Sequence, residues 1–534
     1  MREDFHQKYG FTPHLVETFV DQKSYTVTCY RAANWIEVGR TKGRGKNDTH
    51  HDVYKTGKII FVYPLVENFR ELMGVDVSTY KPYIPYYKIP VEPTEHLDAD
   101  EWAAFELGNS QLGHSTRTER LVRITTALGK HPMESYNSAC GGGSAEIAGY
   151  YRFLENENKK ITPENIIRGH VERTVQRAIG SRVLLCIQNE ITFDFTSLSK
   201  CANLISIRNN QERAISKGLM LHSTHAFDPD RKLSLGIVYV SFVPKQKKES
   251  NDTRSEYEIP LEDKEFFHWV QHAREVEKIA EKLRDVQCIM VDDRVGDFFE
   301  YHLAMADFEN IESIVRITNN RTSIFVENSQ DVRGNFTGYV GDTYGKNANE
   351  KELFSLLNET EEDGQIRIRV PRQSKITKLD NKKEDGKVSR EAHLSVCHCT
   401  VAIAPPEKMK NAQPITLQVA YVVEVAPPED EEPICWRILT ALPLHSFDDT
   451  IKIIEYYAKI WKIDEFNRVL KIGCKAESST LRTAEAQMKI ITVKMLIAWH
   501  ITLLAQLGRE LPDLPPDLLF DDKDLSSLKS FAET

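Results

Sequence analysis

The chain reads as an α/β protein. A mixed sheet with helices is preceded by a helical unit, interrupted by a β-strand-rich insertion, and led by a small α+β N-terminal unit. Three observations predict this. Strands succeed one another between 183 and 242, as Val183-Leu-Leu-Cys-Ile187, Leu219-Met-Leu-His222 and Leu235-Gly-Ile-Val-Tyr-Val-Ser-Phe242, the texture of an antiparallel meander. Apolar residues then recur at helical spacing from about Phe266 to Val286, ahead of the buried run Cys288-Ile-Met-Val291. Between 320 and 440, Ile366–Val370, Leu394–Ile403 and Ile415–Val425 alternate as half-buried strands do.

In chain order, residues 1–70 form the first unit. Leu15-Val-Glu-Thr-Phe-Val20, Trp35-Ile-Glu-Val38 and Ile59-Ile-Phe-Val-Tyr63 are short strands between polar turns. The loop Arg40-Thr-Lys-Gly-Arg-Gly-Lys46 spaces Lys42, Arg44 and Lys46 with glycines. Such a loop either brings backbone and cations up to phosphate or is a solvated turn. Pro82, Pro85, Pro90 and Pro93 among tyrosines make 71–98 a stiff, extended linker. A helical unit spans 99–178. Within it, Trp102 to Leu128 has helical periodicity and aligns Arg117, Arg120 and Arg123 on one face, for phosphate contact or simply for solvent.

The core covers 179–320 and 441–510. Three strands, helix, strand, helix and the strand Ser313-Ile-Val-Arg-Ile-Thr318 follow the order of the ribonuclease-H-like fold. The insertion is 321–440, with a charged loop from Arg372 to Arg390. Ser446, with Asp449 three residues on, is a capping pattern that opens a helix. A last helix runs from about Ala484 to Leu507, and 511–534 form a tail.

At 534 residues the chain has room for two to four domains. Its net charge of −10 provides no global nucleic-acid footprint, so any DNA contact must rest on local basic patches. Nine scattered cysteines and the lack of a charged-then-apolar start point to a reduced, cytoplasmic protein. The apolar run Ile490–Leu507 is interrupted by Lys494, His500 and Gln506, which predicts a buried helix and no membrane partner. In Cys397-His398-Cys399, strand alternation turns the histidine away from the cysteines, which predicts strand packing rather than a metal site.

Two stretches near the core carry candidate chemistry. Tyr457, Asp464 and Lys471 are seven residues apart, so at about 100° per residue they share one helix face. A phenol, a carboxylate and an ammonium in a row can hold a divalent metal and a phosphate, or can be the polar side of an amphipathic helix. Asp293 ends the buried strand in Met290-Val-Asp-Asp293-Arg-Val-Gly-Asp297, and the first core strand reads Leu185-Cys-Ile-Gln-Asn189-Glu-Ile-Thr-Phe-Asp194-Phe-Thr196.

These stretches resemble the insertion-sequence-four (IS-four) transposases, bacterial enzymes that cut and rejoin DNA at transposon ends. The signature of that family is Tyr, two residues, Arg, three residues, Glu, six residues, Lys. Tyr457 and Lys471 match it, while Ile460 and Asp464 stand at the arginine and glutamate. Asp293 takes the second catalytic carboxylate position and Asn189 the first. Ala148-Gly-Tyr-Tyr-Arg-Phe-Leu154 is similar to the helical domain that grips the transposon end, which adds Arg152 to the expected DNA contacts.

The resemblance implies strand transfer by two-metal phosphoryl transfer. Asn189, Asp293, Asp464, Tyr457 and Lys471 are then catalytic, and Asn189, Asp293 and Asp464 hold two Mg²⁺ or Mn²⁺ ions. Implied partners are double-stranded DNA at transposon ends and either a second copy, as a homodimer, or an intact transposase. Family members continue past the position of Thr534 into a segment implicated in pairing subunits. The departures imply reduced or lost cleavage. The Asn189 amide carries no net charge, Asp464 retracts its carboxylate by roughly 1.5 Å relative to glutamate, and Ile460 removes a phosphate-clamping guanidinium. Glu190 replaces the missing acid only if a bulge turns it around.

The first unit resembles the tail of a domain of unknown function found in the Druantia anti-phage family. The likeness rests on Leu15-Val-Glu-Thr-Phe-Val-Asp21, Cys29-Tyr-Arg-Ala-Ala-Asn-Trp35, the Gly39–Gly45 loop and Val62-Tyr-Pro-Leu65. The alternatives to an active transposase are a non-enzymatic DNA-binding inhibitor and a defence-related interaction protein.

Overall fold

A computed structural model describes residues 2–10, 12–21, 35–41, 58–66, 101–209, 214–243, 267–325, 351–370, 390–406, 412–429 and 433–516, with a few single positions besides. Lys42, Arg44 and Lys46, most of the 71–98 linker and most of the 372–390 loop lie outside the described residues. The chain divides into two compact units, Met1–Pro90 and Val91–Thr534.

In the first unit, helix α1 (Arg2–Tyr9) precedes strands β1 (Leu15–Asp21), β2 (Ile36–Arg40) and β3 (Lys58–Pro64). They form an antiparallel sheet of order β1-β3-β2, with an irregularity between Glu37 and Gly39. Its core is small: Val20, Ile59 and Phe61, with Tyr30 and Trp35 against them.

The second unit opens with helices. The predicted run from Trp102 to Leu128 is two helices, α2 (Trp102–Leu107) and α3 (Ser115–Lys130). The chain turns between them through Gly113, whose φ of +85° favours glycine, and the His114 side chain caps α3 by accepting from the Thr116 amide. Helices α4 (Tyr136–Ala139), α5 (Ser144–Leu154) and α6 (Pro163–Ala178) follow, the last with Thr162 as N-cap and Pro163 at its first position.

One buried cluster ties these helices together and to the sheet. Glu106 of α2 accepts from Arg177 Nη1 at 2.6 Å and from His170 Nδ1 at 2.5 Å, while Arg177 Nε donates to the Leu235 carbonyl at 2.7 Å. The Ile237 amide donates to His170 Nε2 at 2.8 Å, so the ring is neutral with its proton on Nδ1. Gly236, at φ +146°, admits this close approach: a Cβ there would lie 2.0 Å from Thr174 Oγ1.

The core strands are β4 (Val183–Asp194), β5 (Ile205–Asn209), β6 (Ala214–Asp228), β7 (Leu233–Phe242), β8 (Gln287–Asp292) and β9 (Ile311–Arg316). Helix α7 (Phe267–Ala280) lies between β7 and β8 in the chain, and α8 (Phe299–Ala306) between β8 and β9. Strands β4, β8 and β9 run parallel, β6 pairs antiparallel with β4, and β5 and β7 both pair with β6. This mixed α/β arrangement is consistent with the ribonuclease-H-like order.

The inserted strands do not make a sheet of their own. Among the described residues they are β10 (Thr322–Phe325), β11 (Lys351–Glu352), β12 (Gly364–Val370), β13 (Arg390–Ile403), β14 (Ile415–Glu424) and β15 (Cys435–Thr440), with α9 (Leu353–Glu359) among them. Strand β15 pairs with β9, which extends the core sheet to twelve strands. On β13, His398 Nδ1 lies 2.6 Å from Asp363, while Cys397 and Cys399 pack on the opposite, apolar side.

Alternation along β4 divides the core. Val183, Leu185 and Ile187 join Ile289 and Val291 beneath α10 (Phe447–Ala458), whereas Leu184 and Cys186 face the cluster built by α7 and α12 (Ala484–Glu510). Ser446 caps α10 by accepting from the Asp449 amide at 3.2 Å. Helix α12 is long and apolar enough to cross a membrane, but 83% of its most apolar window is buried inside the molecule, as expected of a core helix.

The helix predicted to carry Tyr457, Asp464 and Lys471 on one face is interrupted. Helix α10 ends at Ala458, α11 spans Trp461–Arg468, and Val469–Gly473 winds as a π-turn. Neither glycine nor proline causes the break. Tyr457, Ile460 and Ile463 all pack on the same apolar cluster, and between the two helices the backbone closes with three-residue hydrogen bonds from Lys459 to Tyr456 and from Ile460 to Tyr457.

Candidate functional site

Strand register sets the first relationship. The β4–β8 ladder ends with Ile187 opposite Val291, and strand alternation turns Asn189 and Asp293, each two residues further on, to the same face as that pair. Asp292 is level with Val315 on β9, so Arg316 is the next neighbour of Asp293. Just past their parallel ladders, the three strands thus present an amide, a carboxylate and a guanidinium.

Helices close over this end. Tyr457 of α10 donates its hydroxyl to Asp293 Oδ1 at 3.1 Å. Arg316 Nη1 lies 4.0 Å from the same oxygen and 3.5 Å from the Tyr457 hydroxyl. Burial first, and then the charge of Asp293, push the Tyr457 phenol well above its usual range, so it stays a neutral donor. From α11, Asn467 accepts from Asn189 Nδ2 at 3.3 Å. Asp464 lies one turn earlier on the same face of α11. Partial burial and the negative charge of Asp293 raise the Asp464 carboxyl. Asn189, Asp293, Asp464 and Tyr457 are therefore brought together.

Lys471 is not among them. Its Nζ lies 3.4 Å from Glu477 and 5.6 Å from the centre of the Phe193 ring. That is four residues along β4 from Asn189, or roughly 13 Å of strand. The helix break and the π-turn carry it off the face that a continuous helix would have given it. Arg316, which the sequence reading did not single out, is the cation at the acidic residues.

Neighbouring acids are excluded by the pleat. Asp292 points to the other face, is buried, accepts from the Tyr301 hydroxyl at 2.6 Å, and is pushed up by burial to about 7. The β4–β6 register runs unbroken from Leu185 to Asp194, so no bulge turns Glu190 toward Asp293. Glu190 lies instead on the opposite face, 2.5 Å from His268 Nε2. Glu465 is engaged with Arg509 at 3.1 Å, and Ile460 packs on the apolar cluster.

The donor set fits a hard divalent cation in part. Asp293 and Asp464 supply like-charged oxygens, and burial together with the Asp293 charge raises the Asp464 carboxyl, a strain that a cation would relieve. Asn189 adds a neutral oxygen, and Arg316 already offsets part of the negative charge.

The predicted DNA contacts differ in availability. Arg117 donates to the Leu112 carbonyl at 2.9 Å, and Arg120 is paired with Glu146. Arg120 also lies over Gly149, where a Cβ would come within 2.6 Å of its guanidinium carbon. Arg123, 62% exposed, sits 3.5 Å from Glu146, and exposed Arg152 donates to the Ala148 carbonyl at 3.2 Å. Arg123 also lines a groove of about 1010 Å³ with Lys160, Arg168 and His114. Lys160 and Arg168 were missed because they come from a loop and from α6, with no shared spacing.

A family model described as transposase DNA-binding matches residues 99–159, which spans α2 to α5 and carries Arg117, Arg120, Arg123 and Arg152. A model of the Druantia protein DruA matches residues 1–59. The first match supports a transposase-like DNA-binding role, with DNA as the partner.

Proposed function

We propose that this chain is an IS-four type transposase-family protein that binds double-stranded transposon-end DNA and whose strand cleavage is reduced or lost. The single observation that carries the DNA-binding part is the match of 99–159 to a transposase DNA-binding model on the helices that hold the arginines. In this reading 99–178 grips the transposon end, and 179–320 with 441–510 is the ribonuclease-H-like core. Residues 1–70, 71–98, 321–440 and 511–534 are the DruA-like unit, linker, insertion and tail.

Asp293 and Asp464 are the residues that would hold Mg²⁺ or Mn²⁺, with the Asn189 carbonyl oxygen as a third donor. Such ions, when bound, neutralise charge on the attacking and leaving oxygens of an in-line displacement. Tyr457 orients Asp293 through its hydroxyl, and Arg316 lies within reach of a phosphate. The weakness lies at Asn189, an uncharged group tied to Asn467 where the reaction needs a third carboxylate.

The match of 1–59 to DruA favours a second reading, a defence-related protein in which the N-terminal unit makes the functional contact. A chain that binds ends without cutting them also suits an inhibitor, acting alone or paired with an intact transposase. The test is binding and cleavage of DNA carrying the element's own ends, with Mg²⁺ or Mn²⁺. A shifted but uncut complex is expected. No shift at low salt overturns DNA binding, and nicking by the unmodified chain that disappears in Asp293→Ala overturns the loss of cleavage.

A further inference from the structure

On the face of the sheet opposite Asn189, three potential ligands from three elements converge. Glu190 on β4 is the direct cross-strand partner of His222 on β6, and His268 at the start of α7 lies over the pair. Their nearest ligand atoms all lie within 4.8 Å of one another. His268 Nε2 is 2.5 Å and His222 Nδ1 3.8 Å from the same oxygen, Glu190 Oε1.

A chain of hydrogen bonds sets the state of His222. The Tyr301 hydroxyl donates to Asp292 at 2.6 Å, Gln188 Nε2 donates to the Tyr301 oxygen at 3.1 Å, and Gln188 Oε1 lies 2.7 Å from His222 Nε2. The amide oxygen can only accept, so His222 carries its proton on Nε2 and aims the Nδ1 lone pair at Glu190. That Nδ1 is buried and has no hydrogen-bond partner, on a ring with 0% exposure. A buried lone pair facing a carboxylate with no proton between them is unfavourable unless a cation lies there. A ligating imidazole whose other nitrogen is held by a fixed acceptor is the arrangement metal sites use to orient it.

We propose that Glu190, His222 and His268 bind one divalent transition-metal ion, zinc being the expected occupant, at a site separate from the acidic residues on the other face. Two imidazoles and a carboxylate suit zinc and disfavour magnesium. Tetrahedral zinc sets its ligand atoms roughly 3.4 Å apart, so the 3.8 Å separation needs little change and the 2.5 Å contact opens as its shared proton leaves. His272 is not a fourth ligand, because Thr224 and Ser241 hold its two nitrogens at 2.7 and 2.9 Å. The Glu190 and His268 side chains are 22% and 10% exposed, which leaves a solvent route and a position for water. The ion would tie α7 to β4 and β6 directly behind Asn189.

The test uses the full chain, stripped with a chelator and titrated with Zn²⁺ against a chromophoric competitor, and with Co²⁺ in parallel. One equivalent should bind, raise the unfolding midpoint, and show Co²⁺ d–d bands without a thiolate charge-transfer band. Glu190→Gln, nearly isosteric, and His268→Asn should each weaken binding roughly 100-fold or more while keeping the circular dichroism of the metal-free wild type. Asp293→Asn should bind as the wild type does. The assignment is overturned by no uptake, by a strong thiolate band, by full retention in both ligand variants, or by loss in Asp293→Asn alone.

Discussion

The side chain of Asn189 donates to Asn467 across 3.3 Å, which joins core strand β4 to the helix that carries Asp464. If the chain descends from a metal-dependent transposase, as we propose, this hydrogen bond occupies the position where strand cleavage requires charge.

Asn189→Asp should restore or raise nicking of end-bearing DNA in Mg²⁺ or Mn²⁺. Without metal the added carboxylate repels Asp293 and Asp464, so stability should fall, and Mg²⁺ should recover it. Chemical denaturation with and without metal measures this. Equal stability in both conditions, with no nicking, removes these side chains from metal binding.

Tyr457→Phe removes the donor to Asp293 and should lower stability by about 1 kcal/mol. It should also weaken nicking by Asn189→Asp, since the acid loses its orienting partner. An Asn189→Asp/Tyr457→Phe protein as active as the single variant would refute the positioning role.

Arg123→Ala should weaken DNA binding and flatten the slope of log K against log salt by about 1, the signature of one lost phosphate contact. Arg152→Ala should act alike. Arg120→Ala should instead destabilise the fold, because it breaks the pair with Glu146. Salt titration of binding and denaturation curves separate the two effects.

Glu106 makes stability depend on acid. Burial opposes its charge, but Arg177 and His170 outweigh that and lower its carboxyl from 4.5 to about 2. A depressed folded value means that its stabilisation is complete above pH 4.5 and drains as pH falls toward 2. Glu106→Gln should flatten that acid limb and, at neutral pH, destabilise by about 3–5 kcal/mol by leaving Arg177 buried and unpaired. Urea unfolding across pH 2–7 checks both.

Much of this was legible because it is periodic. Strands β4, β8 and β13 alternate or run apolar in the sequence, which also shows an apolar strand ending in acids, while the choice of Asp293 among them rests on the family resemblance. The Ser446 cap was visible in four residues. Other features depend on contacts that no local pattern encodes. The break at Lys459-Ile460 contains no proline or glycine, and the residues around it pack on one apolar cluster drawn from several elements. Arg117 and Arg120 share a face, as their spacing requires, yet their partners Leu112 and Glu146 consume them. Glu190, His222 and His268 are linked only through cross-strand register and an overlying helix.

The pairing of β15 with β9 has a consequence for biogenesis. Residues 311–316 gain that neighbour only from 435–440, more than a hundred positions later in synthesis. Such distant closure slows folding and leaves an apolar edge uncovered on the ribosome. The helices bearing Tyr457 and Asp464 emerge later still, so the acidic centre of the nascent protein closes only after the whole insertion has been made.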